Sequence, residues 1–266
     1  MARLIALDID GTLLSSAQPI SPATRRAVRA AVARGEHVVL ASGRTMAAVL
    51  PIVDQLELTS GYAICGNGAL VLDVAARRPL RVTTFAPAPV LALIEATLPG
   101  AIYAAEEIGV GNRVTGRFAD GLITGAQLPV TFDELRDAPV ARLAAFWTSR
   151  SAAEVVAAFA ELPLPGATAT VDHEAPWLVV VCAGLSKARA LEELRVRLGV
   201  ACDATFAVGD GLNDIEMLRW AGHGVAMGQA PEEVRAAADE VTGTLARDGL
   251  ATALSRLAHR ESSGRQ

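Results

Sequence analysis

A repeated pattern constrains this chain more than any other feature: a short apolar run, a polar stretch often bearing glycine, then a helical periodicity. Leu4-Ile5-Ala6-Leu7 runs into Asp8-Ile9-Asp10-Gly11-Thr12, and His37–Ala41 into Ser42-Gly43-Arg44. Tyr62–Cys65 runs into Gly66-Asn67-Gly68, and residues 205–208 into Gly209-Asp210-Gly211-Leu212-Asn213-Asp214. Runs this short and this apolar read as buried strands. Strands that alternate with helices build a mostly parallel α/β sheet. Ligands of such sheets bind outside the carboxyl ends of the strands, and every one of these polar stretches falls at such an end.

The remaining elements follow the same logic. Ser21-Pro22 offers a helix cap and a proline for the first turn, and that helix ends near Gly35. Residues 69–74 and 80–84 read as a hairpin. From Phe85 the rhythm changes, with helical patterns at 87–98 and 152–162 and extended ones at 102–105, 142–147 and 168–172. The glycine-rich stretch 110–136 fits either. Trp177–Cys182 reads as the return to the regular pattern, which continues with a helix over 186–198, the strand at 205–208, a helix through Met217-Leu218, a strand at 224–227 and helices at 232–238 and 250–257. The expected organisation is therefore a core of residues 1–84 and 177–258, an inserted α/β module over 85–176, and a frayed polar tail over 259–266.

Composition removes several function classes. The 266 residues are 52% hydrophobic, enough for a large core, while the net charge is -5 and only 4% are aromatic. A nucleic-acid binder needs a basic stripe or stacking aromatics. Cys65, Cys182 and Cys202 match neither a disulfide framework nor a zinc spacing, so they read as buried, inert thiols in a reducing, cytoplasmic setting. The first apolar run is too short for a signal peptide, and no stretch is long and uncharged enough to span a membrane. The four histidines are scattered without metal spacing, and Arg113, Arg117 and Arg142 in the insert read as ordinary solvated arginines before substrate contacts.

Alternation along an extended backbone puts Asp8 and Asp10 on one side. Two crowded carboxylates call for a cation, and Mg2+ suits them because it binds oxygen and favours one or two carboxylates plus phosphate. The pair also suits divided labour, one carboxylate as nucleophile and one as acid and base. A polar turn is the ordinary reading of the same residues. Ser42-Gly43-Arg44 offers a hydroxyl and backbone amides to a phosphate, or a routine helix cap. Lys187 stands at a helix start, where an acidic residue is usual; a bound anion explains it, as does plain solvation. Asp210 and Asp214 with Asn213 can complete an oxygen-rich metal site, or cap a helix.

In this order, these motifs resemble the haloacid dehalogenase-like (HAD) hydrolase superfamily, and within it the Cof-type, cap-bearing phosphatases. Asp8-Ile9-Asp10-Gly11-Thr12-Leu13 matches the nucleophile motif, Ser42-Gly43-Arg44 the second, Lys187 the third and Gly209–Asp214 the fourth; Gly66-Asn67-Gly68-Ala69 and Val225-Ala226-Met227-Gly228 match further group segments. Ala188, Gln229 and Arg247-Asp248-Gly249 depart from the group pattern. The resemblance implies a Rossmann-like, mostly parallel three-layer core with an inserted α+β cap. It implies Mg2+-dependent hydrolysis of small phosphate monoesters, sugar phosphates or related metabolites, through an aspartyl-phosphate. Asp8 would attack, and Asp10 would serve as acid and base. Asp8, Asp10, Asp210 and Asp214 would hold the metal. Ser42, Gly43, Arg44, Asn67, Lys187 and Asn213 would hold phosphate or substrate. Dehalogenases of this fold lack the second aspartate, having no alkoxide to protonate. A phosphomutase or phosphotransferase on the same core, and a catalytically silent relative, remain open alternatives.

Overall fold

In a computed structural model of the chain, described over residues 2–173 and 175–263, the strands form two sheets. The first five strands are β1 (Leu4–Leu7), β2 (His37–Ala41), β3 (Tyr62–Cys65), β4 (Leu70–Asp73) and β5 (Arg78–Val82). Six more follow: β6 (Ile102–Glu107), β7 (Gly111–Val114), β8 (Ala126–Pro129), β9 (Arg142–Phe146), β10 (Ala167–Val171) and β11 (Trp177–Cys182). The last three are β12 (Thr205–Gly209), β13 (His223–Ala226) and β14 (Glu240–Val241).

The larger sheet has the order β14-β13-β12-β1-β2-β3-β4-β5. It is parallel from β14 to β3, and β4 and β5 are added antiparallel. Its central strands β1, β2, β3 and β12 are buried on both sides because helices cover both faces. The helices, in chain order, are α1 (Pro22–Ala33), α2 (Met46–Gln55), α3 (Pro87–Thr97), α4 (Phe132–Arg136), α5 (Ala152–Phe159), α6 (Lys187–Leu198), α7 (Ile215–Trp220), α8 (Glu232–Ala236) and α9 (Gly249–Ser263). Ile5 and Leu7 point into a cluster with Val28 of α1, Val49 of α2 and Leu254 of α9. Leu4 and Ala6 point the other way, into a cluster with Leu191 of α6, Met217 of α7 and Val234 of α8. This is the expected three-layer core.

The smaller sheet has the order β10-β11-β9-β6-β7-β8. One face is covered by α3, α4 and α5 through Leu91, Leu135, Val155 and Phe159. Capping boxes at Thr131 and Ser151 start α4 and α5.

Three expectations change. Trp177–Cys182 does not lead back into the larger sheet; as β11 it pairs with β9 and β10 in the smaller one. Its apolar run fits a strand of either sheet, so pattern alone could not assign it. The ambiguous stretch 110–136 resolves into β7, β8 and α4, and β7 and β8 pair in parallel. The segment expected as a tail begins inside a helix, since α9 continues to Ser263, and residues 264–266 lie outside the described ones. Of the thiols, only Cys65 is buried; Cys182 is half-buried and Cys202 exposed.

Candidate active site

The strand ends of the larger sheet bring the sequence motifs together. Asp8 follows β1 directly, and its amide donates to the Val208 carbonyl of β12 (3.0 Å). Lys187 opens α6 behind the N-cap Ser186, and Asp214 ends the turn after β12. All three side chains are buried: Asp8 is 4% exposed, Lys187 1% and Asp214 0%. Lys187 Nζ donates to Asp8 Oδ1 (2.6 Å) and to Asp214 Oδ1 (2.7 Å). Asp214 Oδ2 accepts from the amides of Asp210 (3.0 Å) and Gly211 (2.9 Å). Both Asp214 oxygens are thus engaged by protein donors, which makes Asp214 a strut that holds Lys187 and the turn.

Asp210 is held differently. Its Oδ1 accepts from Thr12 Oγ1 (3.1 Å), and its Oδ2 accepts from Gln229 Nε2 (3.4 Å). Gln229 also donates to the Gly11 carbonyl (2.6 Å) and accepts from the Leu245 amide (3.0 Å). A position that departs from the group pattern in the sequence therefore ties the loop after β1 to the turn after β12. Gly11 sits at φ +80°, and a Cβ there would lie 1.9 Å from Asp210 Oδ2. The backbone turns where it does because glycine allows this approach.

The charges do not balance. Asp8, Asp210 and Asp214 each place a carboxylate oxygen within 4.8 Å of the others, against the ammonium of Lys187. Burial and the charge of Asp214 raise the Asp8 carboxyl well above its usual range, and Lys187 offsets this only in part. Burial, then Asp214, pushes Asp210 up to about 6. Burial pulls Lys187 down, but the charges of Asp214 and Asp8 outweigh it and leave the lysine raised, hence protonated. An oxygen-rich, electron-rich cluster of this kind fits a hard divalent cation.

Asp10 is not part of this cluster. Its side chain is 56% exposed, and both of its oxygens accept from Arg44, from Nε (2.8 Å) and from a terminal nitrogen (2.5 Å). β1 ends at Leu7 and the turn starts before Asp10, so strand alternation does not set the direction of the Asp10 side chain. Arg44 is thereby placed on a carboxylate, and that bond and charge raise its pKa.

The other predicted residues gather around a second loop. Ser42 is buried and its Oγ accepts from the Arg44 amide (3.1 Å). Asn67 has φ 51° between Gly66 and Gly68, both also at positive φ. Gly68 lets the loop pass α6 closely, since a Cβ there would lie 2.6 Å from the Ser186 carbonyl; a non-glycine residue in this conformation is a strained position of the kind found at functional sites. Asn213 Nδ2 donates to Asn67 Oδ1 (3.1 Å), and Asn67 Nδ2 to Thr170 Oγ1 of β10 (3.4 Å). Asn213 therefore reaches the smaller sheet through Asn67.

Two residues of the smaller sheet reach the loop after β2. Arg142, a solvated arginine or a substrate contact by sequence, donates from Nε to the Gly43 carbonyl (2.9 Å). Glu106 is 6% exposed and accepts from the Met46 amide (2.7 Å). Arg113 pairs with Glu107 (3.5 Å), and Arg117 is exposed beside Asp120.

The family model for haloacid dehalogenase-like hydrolases matches residues 5–254, and the chain belongs to that family. It is 30% identical over 253 residues to the 5-amino-6-(5-phospho-D-ribitylamino)uracil phosphatase of Bacillus subtilis, covering 95% of this chain and 94% of that protein. It is 29% identical over 267 residues to the pyridoxal phosphate phosphatase of Escherichia coli, covering 94% of this chain and 96% of that protein. Among solved structures, a haloacid dehalogenase-like hydrolase from Bacteroides thetaiotaomicron superposes with a TM-score of 0.81 at 27% identity, over 97% of this chain and 100% of that one. A HAD subclass IIB sugar phosphatase does so at 0.80 and 27%, over 97% and 99%. Within the family the chain is a Cof-type phosphoric monoester hydrolase.

Proposed function

We propose that this enzyme is a magnesium-dependent phosphatase that hydrolyses small phosphate monoesters, sugar phosphates or related metabolites, by way of a phosphorylated Asp8. The observation that carries this reading is the clustering of Asp8, Asp210 and Asp214 at the strand ends, with buried Lys187 bonded to Asp8 and Asp214. Asp8, Asp210 and the Asp10 backbone carbonyl would hold Mg2+, with Asp214 behind them. When bound, the ion would offset the carboxylate charge and polarise a phosphoryl oxygen.

The chain's own residues supply the remaining steps. An Asp8 oxygen attacks phosphorus as the bond to the leaving oxygen breaks, and Asp10 gives that oxygen its proton. Asp10 then takes a proton from the water that releases phosphate from Asp8. Lys187, Ser42 and the amides near Gly43 and Arg44 stabilise the phosphoryl oxygens, while Asn67 and Asn213 line the approach. Selectivity falls to the smaller sheet, because phosphoryl contacts cannot tell one leaving group from another. The substrate range is supported by relatives that act on a phosphoribityl-aminouracil and on pyridoxal phosphate, and by a solved sugar phosphatase.

A panel of phosphorylated metabolites, assayed for released phosphate with and without magnesium, tests this. Magnesium-dependent release from small monoesters is expected. Transfer to a second sugar without release would mark a phosphotransferase, and no turnover on any ester a silent relative.

A further inference from the structure

Glu106 and Arg142 stand side by side on one face of the smaller sheet. Ala105 pairs with Leu143 and Ala104 with Ala144, so the next pair outward brings Glu106 beside Arg142. Ala104 and Ala144 pack together on the face opposite α3–α5, and alternation puts Glu106 and Arg142 on that same face. Both side chains leave their own sheet to bond main-chain atoms between β2 and the start of α2: Glu106 takes the Met46 amide, and Arg142 gives to the Gly43 carbonyl. The Met46 amide opens α2, whose own N-cap, Thr45, makes no side-chain cap bond. A helix end ordinarily capped by a local hydroxyl is capped instead by a carboxylate from another sheet.

Such an arrangement carries a cost. Burial raises the Glu106 carboxyl, though the Met46 bond and Arg142 oppose it, and burial lowers Arg142. Charged groups are withdrawn from water only where their partners are well placed. Ile108, two residues past Glu106, anchors the same strand by packing on the core cluster around Met46 and on the cluster of Ala69, Ala141 and Val181.

Between the two bonded positions lie only Arg44 and Thr45. The Arg44 carbonyl accepts from the Gly66 amide (2.9 Å), and its guanidinium holds both oxygens of Asp10. We infer that Glu106 and Arg142 are positioning residues: by fixing the loop 42–46 on both sides of Arg44, docking of the smaller sheet sets the orientation of Asp10. The inference rests on the reading of Asp10 as the acid that protonates the leaving group.

The leaving group provides a readout that a merely structural role would not move. An alkyl phosphate needs a proton on its departing oxygen; p-nitrophenyl phosphate does not. Asp10→Asn serves as the reference and is expected to lower kcat/KM on the alkyl ester by roughly 10²–10⁴-fold, with a much smaller effect on the aryl ester. Glu106→Ala and Arg142→Met are expected to share that signature, losing about tenfold to a hundredfold on the alkyl ester, the scale of a misplaced catalytic group, and far less on the aryl ester. Glu106→Gln keeps an acceptor oxygen for the Met46 amide and is expected to retain most alkyl activity. Glu106→Asp replaces the alanine variant if that variant does not fold by circular dichroism. Equal losses on both esters in the Glu106 and Arg142 variants, or no loss on either, would overturn the inference while leaving the Asp10→Asn signature intact. A missing signature in Asp10→Asn itself would remove the acid role of Asp10, and the inference with it.

Discussion

Lys187→Met keeps the length of a buried side chain and removes its charge. In the folded protein Lys187 is 1% exposed and donates to Asp8 and Asp214, themselves 4% and 0% exposed. Its loss strands two carboxylates that are held largely away from water. Breaking a buried ion pair by removing one partner costs about 3–5 kcal/mol. For a chain of this size each kcal/mol lowers Tm by about 2–4 °C, so a fall of roughly 6–20 °C is expected. The sign of the pH dependence follows from Asp8, whose folded pKa lies above the unfolded value of 3.8. Between those two values the folded state holds the extra proton, so stability falls as pH rises. Removing Lys187 moves the folded pKa of Asp8 further up and widens that window, so the deficit is expected to be larger near about pH 8 than near about pH 5. Thermal melts in chelator at both values measure this. Adding Asp8→Asn should recover part of the loss, because one stranded charge is then gone. A Lys187→Met protein as stable as the parent at the higher pH, or a double variant whose losses simply add, would refute the reasoning.

Gly11→Ala should displace Asp210, since the new Cβ would fall 1.9 Å from its Oδ2; weakened magnesium binding by calorimetry is expected, and unchanged affinity would contradict the geometry. Magnesium affinity should rise with pH through about 6, where Asp210 gives up its proton, because a ligand must be deprotonated to bind; a flat profile would contradict the assignment. Thr170→Val, which removes the hydroxyl that accepts from Asn67, should reorder kcat/KM across a phosphometabolite panel. Lys187→Met should instead lower every substrate by a similar factor, roughly 10²–10³ for a lost transition-state contact.

The core was legible because its strands are short, apolar and each followed by a polar turn, a pattern that fixes both the sheet and the edge where ligands bind. Asp8, Lys187, Asp210 and Asp214 were legible for the same reason, since each sits where a strand ends or a helix begins. The direction of Asp10 was not, because strand alternation stops once β1 ends at Leu7. Trp177–Cys182 was misassigned because an apolar strand carries no mark of which sheet it joins. Glu106 and Arg142 were hidden for a different reason: their partners are main-chain atoms some sixty and a hundred residues away (|i−j| of 60 and 99), and a backbone amide or carbonyl leaves no signature in sequence. Gln229 shows the converse, a visible departure whose meaning emerges only when Gly11, Asp210 and Leu245 surround it.

The proposed phosphorylation of Asp8 is open to direct capture. Radiolabelled p-nitrophenyl phosphate, whose departing oxygen needs no proton, is mixed with the magnesium-loaded enzyme, quenched in acid within the first turnover, and the label is mapped by peptide mass spectrometry. The Asp10→Asn protein, expected to be slow in activating the water, is run beside the parent so that any acyl-phosphate accumulates. The expected result is hydroxylamine-sensitive label on the peptide carrying Asp8, stronger in Asp10→Asn and absent in Asp8→Asn, which should also lose nearly all turnover. Label on a different residue, or an Asp8→Asn protein that keeps the parent's rate, would contradict Asp8 as the nucleophile.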